Sequence, residues 1–262
     1  MKGFIFDLEF MWGFQARVVG MSKTSPSFPV PPPTTVLGAI AEAYARRKGF
    51  SEGRASTLNE LAREILALGY KPLNAITLQF QDVNRIVSVR TAGEVRYPSV
   101  KDPYGSFDAP ARGKTVTSSL NEKPPTMRVF AVVKDTLDIT SDDIWRVKRL
   151  GSKESMVSVV EVIEGVPEVI CEGEVETDYS LLLTPELESS IIDREGNFIE
   201  LEFVPITSLV SGDSPARLYL NYKVVRHLIP VPLVRRGRLI VKLPPGYAGY
   251  KINNEVVIGL SE

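Results

Sequence analysis

A single cysteine and a single histidine narrow the chemistry open to this chain of 262 residues. Cys171 alone can form neither an intramolecular disulfide nor a cysteine-based zinc site. His227 alone removes most metal sites and any mechanism that needs two imidazoles. Sparse cysteine fits a reducing intracellular setting, and the shortage of glutamine alongside it leans towards a thermophile. The formal net charge of −1 excludes a globally basic nucleic-acid binder. It leaves room for a basic groove on a balanced protein, because binding responds to the local field. No apolar run is long enough to span a bilayer, and Asp7 and Glu9 interrupt the hydrophobic start as in a strand, not a signal peptide. A cytoplasmic protein with no membrane contact is expected. GxGxxG after a strand, GxSxG and HExxH are all absent, and Gly151-Ser152-Lys153 lacks the preceding spaced glycine of a nucleotide-binding loop. The carboxylates show no pairing that suits a glycosidase or aspartyl mechanism, so neither a cofactor nor a metal is expected.

What is present reads as a globular protein. The hydrophobic share of 44% and charged share of 24% are ordinary, and the length suffices for one large domain or two modest ones. Segment 26–41 organises the rest. Pro26, Pro29, Pro31, Pro32 and Pro33 stiffen the approach, since proline cannot donate a ladder hydrogen bond and disfavours helix in the residue before it. Thr34 or Thr35 is then expected to cap a helix that ends near Gly49, with Val36, Leu37, Ile40 and Tyr44 at helical spacing. Arg46, Arg47 and Lys48 complement the negative end of its dipole.

Around that helix the periodicities alternate. Residues 2–10 predict a first strand with Phe4, Phe6, Leu8 and Phe10 on one face. Leu58, Leu61, Ile65 and Leu68 predict a second helix over 57–68, stopped by Gly69, and a strand follows over 72–83. Residues 84–126 carry Arg85, Arg90, Arg96, Lys101, Arg112, Lys114 and Lys123 with Tyr97, Tyr104 and Phe107 interleaved. About forty residues with so little core-forming content is too long for an ordinary connection, and predicts a protruding hairpin or lobe, partly mobile when nothing is bound. A strand over 128–134, a helix over 142–149 capped by Ser141, a tight loop over 150–155 and a strand over 156–163 follow. The order strand, helix, strand, strand, helix, strand is the split βαβ or ferredoxin-like (RRM-like) arrangement.

The expected class is therefore α+β, with a ferredoxin-like domain over 1–165 and a smaller, mostly-β domain over 166–262. Strands of the second part are expected over 169–175, 179–183, 198–205, 216–225, 239–243 and 250–258. The stretch 168–202 is acidic, with Arg194 its one basic residue. It reads as a solvated strand face or as a surface that docks a basic partner. His227 lies in an apolar, strand-like segment and reads as a structural histidine.

Nucleic-acid binding is the constructive chemical reading. Guanidinium and ammonium groups hold phosphates, while aromatic side chains offer faces to unstacked bases. The candidates are Trp12, Gln15, Arg17 and Lys23 beside the first helix, and Arg90, Arg96, Lys101, Tyr104, Arg112 and Lys114 in the basic insertion. Arg149, Gly151, Ser152 and Lys153 complete the set, their loop exposing amides with a lysine as a phosphate requires. Singly each reads equally well as a solubilising surface residue, and only convergence around one sheet gives them weight.

Two motifs resemble a known family. A strand followed by Trp12-Gly13, Arg17 and the run Phe28-Pro29-Val30-Pro31-Pro32-Pro33-Thr34-Thr35-Val36-Leu37-Gly38-Ala39 is similar to the start of the fifth CRISPR-associated protein family, within the repeat-associated (RAMP) superfamily. Arg149-Leu150-Gly151-Ser152-Lys153-Glu154-Ser155 resembles that family's glycine-containing loop, at the right separation and with a long basic insertion between. The likeness is good over 1–165 and loose beyond. It implies an RNA-binding subunit of a type I interference complex (Cascade), of the archaeal type I-A branch. Arg17, Lys23, Gly151, Ser152 and Lys153 would then lie near the 5′ handle of the CRISPR RNA, with 84–126 as an extended β-hairpin "thumb". The repeated backbone subunit and the large subunit would be its partners.

One branch of that family cuts precursor RNA with a tyrosine, a lysine and a histidine. Tyr44 and Lys114 approximate the first two, but no histidine lies in the insertion, so no useful ribonuclease activity is expected. The alternatives to a non-catalytic scaffold are that metal-independent endoribonuclease and a protein–protein adaptor with a basic lobe.

Overall fold

The computed structural model describes residues 1–18, 25–50, 55–83, 86–87, 90–92, 95–97, 107–108, 111–233 and 235–262. It is a mixed α and β protein whose strand ladders are antiparallel. Four strands make the first sheet, in the order Val157–Gly165, Lys2–Phe10, Thr126–Val133, Ile65–Pro72. Chain order and spatial order differ because the first strand sits inside the sheet, between the last and the third.

Alternation along Lys2–Phe10 explains both faces. Phe4, Phe6, Leu8 and Phe10 enter one cluster with Val36, Leu37, Ile40 and Tyr44 of the helix Pro33–Arg47 and Leu61 of the helix Ala55–Glu64. Ile5 points the other way and joins Phe130, Val132, Tyr179, Tyr250 and Val257 in a second cluster. The sheet is thus covered on both faces, by helices on one and by residues beyond 165 on the other.

On the second face a row of charges crosses all four strands. Asp7 lies opposite Arg128 and Glu161, and Arg128 opposite Lys71. Arg128 holds Asp7 through two bonds of 2.6 and 2.7 Å, and reaches Glu161 at 2.7 Å and Glu255 at 3.1 Å. Lys71, only 3% exposed, is met by Asp178 at 2.7 Å and by Glu255. A buried ammonium is tolerated only when paired, so the C-terminal part must supply those two carboxylates.

Several elements depart from the expected boundaries. The second helix stops at Glu64, and Ile65–Pro72 is a sheet strand that pairs from Ile65 opposite Val133 to Pro72 opposite Met127. Leu68 sits at helical spacing from Leu61, but pairing with a buried neighbour overrides so weak a preference. Gly69 is a close approach, not a helix stop, since a Cβ there would lie 2.7 Å from Val257. The expected strand over 72–83 belongs to another sheet. Asn74, 8% exposed, takes Thr126 N–H on its carbonyl at 2.7 Å and donates to Ser119 and Asn121 at 3.0 and 2.9 Å. Past that pivot Ala75–Val83 pairs with Ala111–Ser119, followed by Ile86–Val87 with Phe107–Asp108 and Arg90–Ala92 with Val95–Tyr97. The hairpin of the basic insertion therefore starts at Ala75, ahead of the expected limit at 84.

Neither Thr34 nor Thr35 caps the first helix. Pro32 is its N-cap, without a side-chain bond, and Pro33 opens the first turn. Thr140, not Ser141, precedes Ser141–Trp145, and its N–H donates to Asp143 at 3.0 Å. That helix ends before 149 because Val157 N–H bonds the Lys148 carbonyl and Leu150 N–H the Ser155 carbonyl.

Among the described residues beyond 165, nine short strands form three small sheets. The expected strand over 169–175 divides into Glu168–Ile170 and Glu174–Thr177. That over 250–258 is a hairpin, Tyr247–Ile252 with Glu255–Leu260, turning through Asn253 at φ 53°. Residues 216–225 hold a helix, Pro215–Leu220, whose N-cap Ser214 accepts Arg217 N–H at 3.3 Å. Alternating apolar residues concealed it, and the serine–proline pair was the overlooked signal. Phe203, Val204, Leu209, Leu218 and Ile229 pack into the same cluster as the first two helices.

His227 lies on Val225–Pro230, its Nδ1 2.9 Å from the Val225 carbonyl and its ring edge-on to Phe203. Burial lowers its pKa from 6.5 to about 4, so the folded chain keeps it neutral while the unfolded chain protonates it. Its contribution to stability is complete above pH 6.5 and is lost as the pH falls towards 4. Denaturant unfolding followed across that window should show a loss of about 3 kcal/mol that His227→Leu removes.

Candidate nucleic-acid interface

Gln15 is where separate stretches of chain meet. It follows the short strand Gly13–Phe14, forms a bridge parallel to Gly151, and accepts Ser152 N–H on its carbonyl at 3.3 Å. Its own N–H donates to the Ser155 hydroxyl at 2.9 Å, and its side-chain amide donates to the Gly113 carbonyl at 3.1 Å. The loop 150–155 and the base of the long hairpin are thereby fastened to one residue. Gly151 has φ +92°, and a Cβ on it would sit 2.6 Å from the Gln15 carbonyl, so close approach as well as backbone conformation demands glycine.

The proline-rich lead-in is fastened to the same place. Phe28 N–H donates to Ala16 at 2.8 Å, Val18 N–H to Pro26 at 2.9 Å and Gly113 N–H to Ser25 at 3.2 Å. The buried Thr115 hydroxyl donates to the Phe28 carbonyl at 2.6 Å, and Gln79 donates to the Ser27 carbonyl. Stiff prolines suit this role because the segment runs alongside Ala16–Val18 without needing every amide. Trp12 donates its indole N–H to Glu154 at 2.6 Å, and the Lys114 ammonium stands 5.8 Å from its ring.

Of the candidates, Trp12, Gln15, Arg17, Lys114, Gly151, Ser152 and Lys153 are brought to this junction by those bridges and bonds. Their parts differ. Gln15 is buried, and Ser152 bonds Ser155 through its hydroxyl at 2.9 Å, so both hold the scaffold. Arg149 grips Glu42 of the first helix through two bonds of 3.0 and 2.8 Å, which fixes where the loop departs. Arg17 and Lys153 are exposed and have no ion pair among the described residues. Lys23, Lys101 and Tyr104 lie outside the described residues. Arg90, Arg96 and Arg112 are described as backbone, in strands of the long hairpin.

Residues that sequence reasoning passed over do much of the holding. Ser155, Ser27 and Thr115 are at most 1% exposed and each bonds a backbone group of this junction. Nothing in their spacing marks them, though Ser155 lay within the singled-out loop. Arg146 and Lys148 were also passed over; both are exposed and unpaired among the described residues, just ahead of that loop. The acidic stretch 168–202 has the opposite character. Glu176 and Glu195 meet Arg238, Glu188 meets Arg226 and Glu168 meets Lys251, so much of its charge is answered within the fold. Arg17, Arg146, Lys148 and Lys153 have no ion pair among the described residues, and neither do Lys123, Lys223 and Lys242 farther away.

Tyr44, the candidate nucleophile activator, donates its hydroxyl to Asp138 at 3.1 Å. Burial raises its pKa, and the Asp138 carboxylate raises it further. Lys48, 2.5 Å away, holds Asp138 down to about 2. The phenol is tied into a structural ion cluster with Arg47. No helix among the described residues is long and apolar enough to cross a membrane, and no cluster of metal-ligating side chains occurs among them.

Chains of known kind share this architecture. The family model described as CRISPR-associated protein (Cas_Cas5) matches residues 4–194. A curated protein of Saccharolobus solfataricus, "CRISPR-associated protein Cas5 2", is 25% identical over 171 residues, covering 62% of this chain and 61% of its own length. The chain therefore aligns with less than two thirds of that relative. The crystal structure of a CRISPR protein from Archaeoglobus fulgidus superposes with a TM-score of 0.73 at 34% identity, covering 100% of both chains.

Replacing Ser155 by alanine strands the buried Gln15 N–H. The variant should lose about 1–2 kcal/mol in chemical denaturation, whereas Lys153→Ala, on an exposed tip, should leave the unfolding midpoint unchanged.

Proposed function

The chain belongs to the CRISPR-associated protein (Cas5) family, and on that premise we propose that it is a non-catalytic RNA-binding subunit of a Cascade interference complex. It holds the 5′ handle of the CRISPR RNA and touches the backbone and large subunits, in the cytoplasm, in the manner of type I-A. The observation that carries this reading is the junction on Gln15. There the exposed Arg17, the Trp12–Lys114 pair and the Gly151–Lys153 loop are assembled from three distant stretches of chain. Cations and an aromatic ring gathered on a rigid base match what single-stranded RNA requires.

The reading takes residues 1–165 as a ferredoxin-like domain with an inserted hairpin, and 166–262 as a mostly-β second domain. It is supported by the sheet in which the first strand lies between the fourth and third, with helices on one face. The non-catalytic reading is supported by where the three relevant residue types stand. Tyr44 is engaged by Asp138, Lys114 is set against Trp12, and His227 is buried against Phe203 and the Val225 carbonyl. General acid–base help of the usual 10²–10⁴-fold has no such trio to supply it.

Gel shifts over a range of salt test the binding. Arg17→Ala combined with Lys153→Ala should weaken handle-RNA affinity and make the slope of log K on log salt shallower by about 1.4, two phosphate contacts' worth, with Tm unchanged. A large fall in Tm with an unchanged slope makes these residues structural. Affinity for a protein partner without any for RNA makes the chain an adaptor. Incubation with repeat RNA should leave it intact; cleavage at one defined site that Tyr44→Phe or Lys114→Ala abolishes would establish the endoribonuclease instead.

A further inference from the structure

The helix Pro215–Leu220 closes on a residue that its backbone does not favour. Tyr222 N–H donates to the Tyr219 carbonyl at 3.0 Å and Lys223 N–H to the Leu218 carbonyl at 2.9 Å. That pair of bonds ends a helix through one left-handed residue, normally glycine. Here the residue is Tyr222, at φ 55°. Gly49 takes the equivalent place after the first helix, at φ +69°, and Asn253 takes the hairpin turn at φ 53°. A bulky side chain in that conformation is strained, because its Cβ crowds the following carbonyl. Asn221, a type that tolerates it, stands one place too early.

Nothing inside the fold repays the strain. Tyr222 is 89% exposed, and neither its ring nor its hydroxyl has a partner among the described residues. Leu220 beside it is 53% exposed. Tyr219 on the same helix does the packing, edge-on to Phe28 at 5.9 Å. A backbone outlier that only presents an aromatic face to solvent is accounted for by a ligand that covers the face.

The surroundings select that ligand by charge. Residues 214–254 hold eight Lys and Arg residues and no Asp or Glu. Carboxylates from outside that stretch answer several of them: Asp213 meets Arg217, Glu188 meets Arg226, and Glu195 meets Arg235 and Arg238. Lys223, adjoining the ring, is exposed and has no ion pair among the described residues. A free aromatic face with an ammonium one residue away suits an unstacked base and its phosphate. Position agrees. The other end of the helix, at Ser214, Pro215 and Ala216, lines a cleft together with Arg17. Six helical residues span about 9 Å, so a short strand of RNA held at Arg17 reaches Tyr222.

We infer that Tyr222 is a stacking platform for one base of the bound RNA, with Lys223 on the adjoining phosphate. The inference rests on the RNA-binding reading above and adds to it that the chain beyond 165 takes a share of the contact.

The test uses the whole chain and a fluorescent, mixed-sequence single-stranded RNA of about ten nucleotides. Tyr222→Gly supplies the residue that the backbone favours and removes the ring. It should leave Tm equal or raise it by about 2 °C while weakening RNA binding about tenfold, the worth of one stacked base. Tyr222→Phe keeps the ring and should bind like the wild type. Lys223→Ala should make the slope of log K on log salt shallower by about 0.7, one phosphate's worth, whereas Tyr222→Gly should leave the slope unchanged. The Arg17→Ala, Lys153→Ala pair reads the junction on Gln15 separately. If that pair weakens binding while Tyr222→Gly and Lys223→Ala bind like the wild type, RNA binding stands and the platform falls. If no variant changes affinity, the RNA-binding reading falls and the platform with it. A marked drop in Tm for Tyr222→Gly makes the ring structural. Should Tyr222→Gly spare RNA but abolish association with another subunit, the ring is a protein contact, and either result overturns the inference.

Discussion

The junction on which the proposed site rests depends on the hydrogen bonding of Gln15. Its carbonyl, its N–H and its side-chain amide each bind a different stretch of chain: Ser152, Ser155 and Gly113. Buried polar groups must be paired, so the loop and the hairpin base are held at Gln15 instead of drifting with their own flexibility. Exposed side chains borne on such a base keep their relative positions. That is the requirement for reading a flexible strand of RNA by a few cations and a ring.

The sheet beneath supplies the rigidity. Covered on both faces, it cannot shift register without moving large apolar side chains into the wrong cluster. The charged row from Glu161 through Asp7 and Arg128 to Lys71 sharpens this, because its last member, the buried Lys71, is paired only when Glu255 and Asp178 arrive from the C-terminal part. Such a network contributes little net energy and much specificity of docking in a case like this one, where four strands must align with one loop and one hairpin. The same economy shapes the surface. A chain of net charge −1 can still present cations without ion pairs beside the loop, Arg17, Arg146, Lys148 and Lys153, because several of its acidic residues are engaged elsewhere.

The periodic parts of the fold were legible beforehand. The first strand's alternating phenylalanines and leucine, the proline-led helix and the strand after the long hairpin lie close to their expected places, since each is written in local spacing. Errors fell where a local signal competes with a distant partner. Ile65 and Leu68 look helical until Val133 and Ala131 pair with them. Residues 216–225 look extended until Ser214 and Pro215 start a helix that covers Phe28. Trp12, Arg17 and Lys153 were nameable as candidates from residue type, while Ser155, Ser27 and Thr115 were not, because a serine or threonine declares its partner only in space.

By itself the sequence determined the chemistry available: no thiol pair, no second imidazole, a balanced charge, and proline and glycine at two points where the backbone has little choice. Those are properties of single residues and short runs, and they survive any arrangement. Tertiary structure alone decided which side chains became scaffold and which stayed free. Arg149 and Arg17 are the same residue type beside similar neighbours, yet Glu42 claims the first and nothing among the described residues pairs with the second. That difference is made by burial and distance, which arise only once the strands have paired.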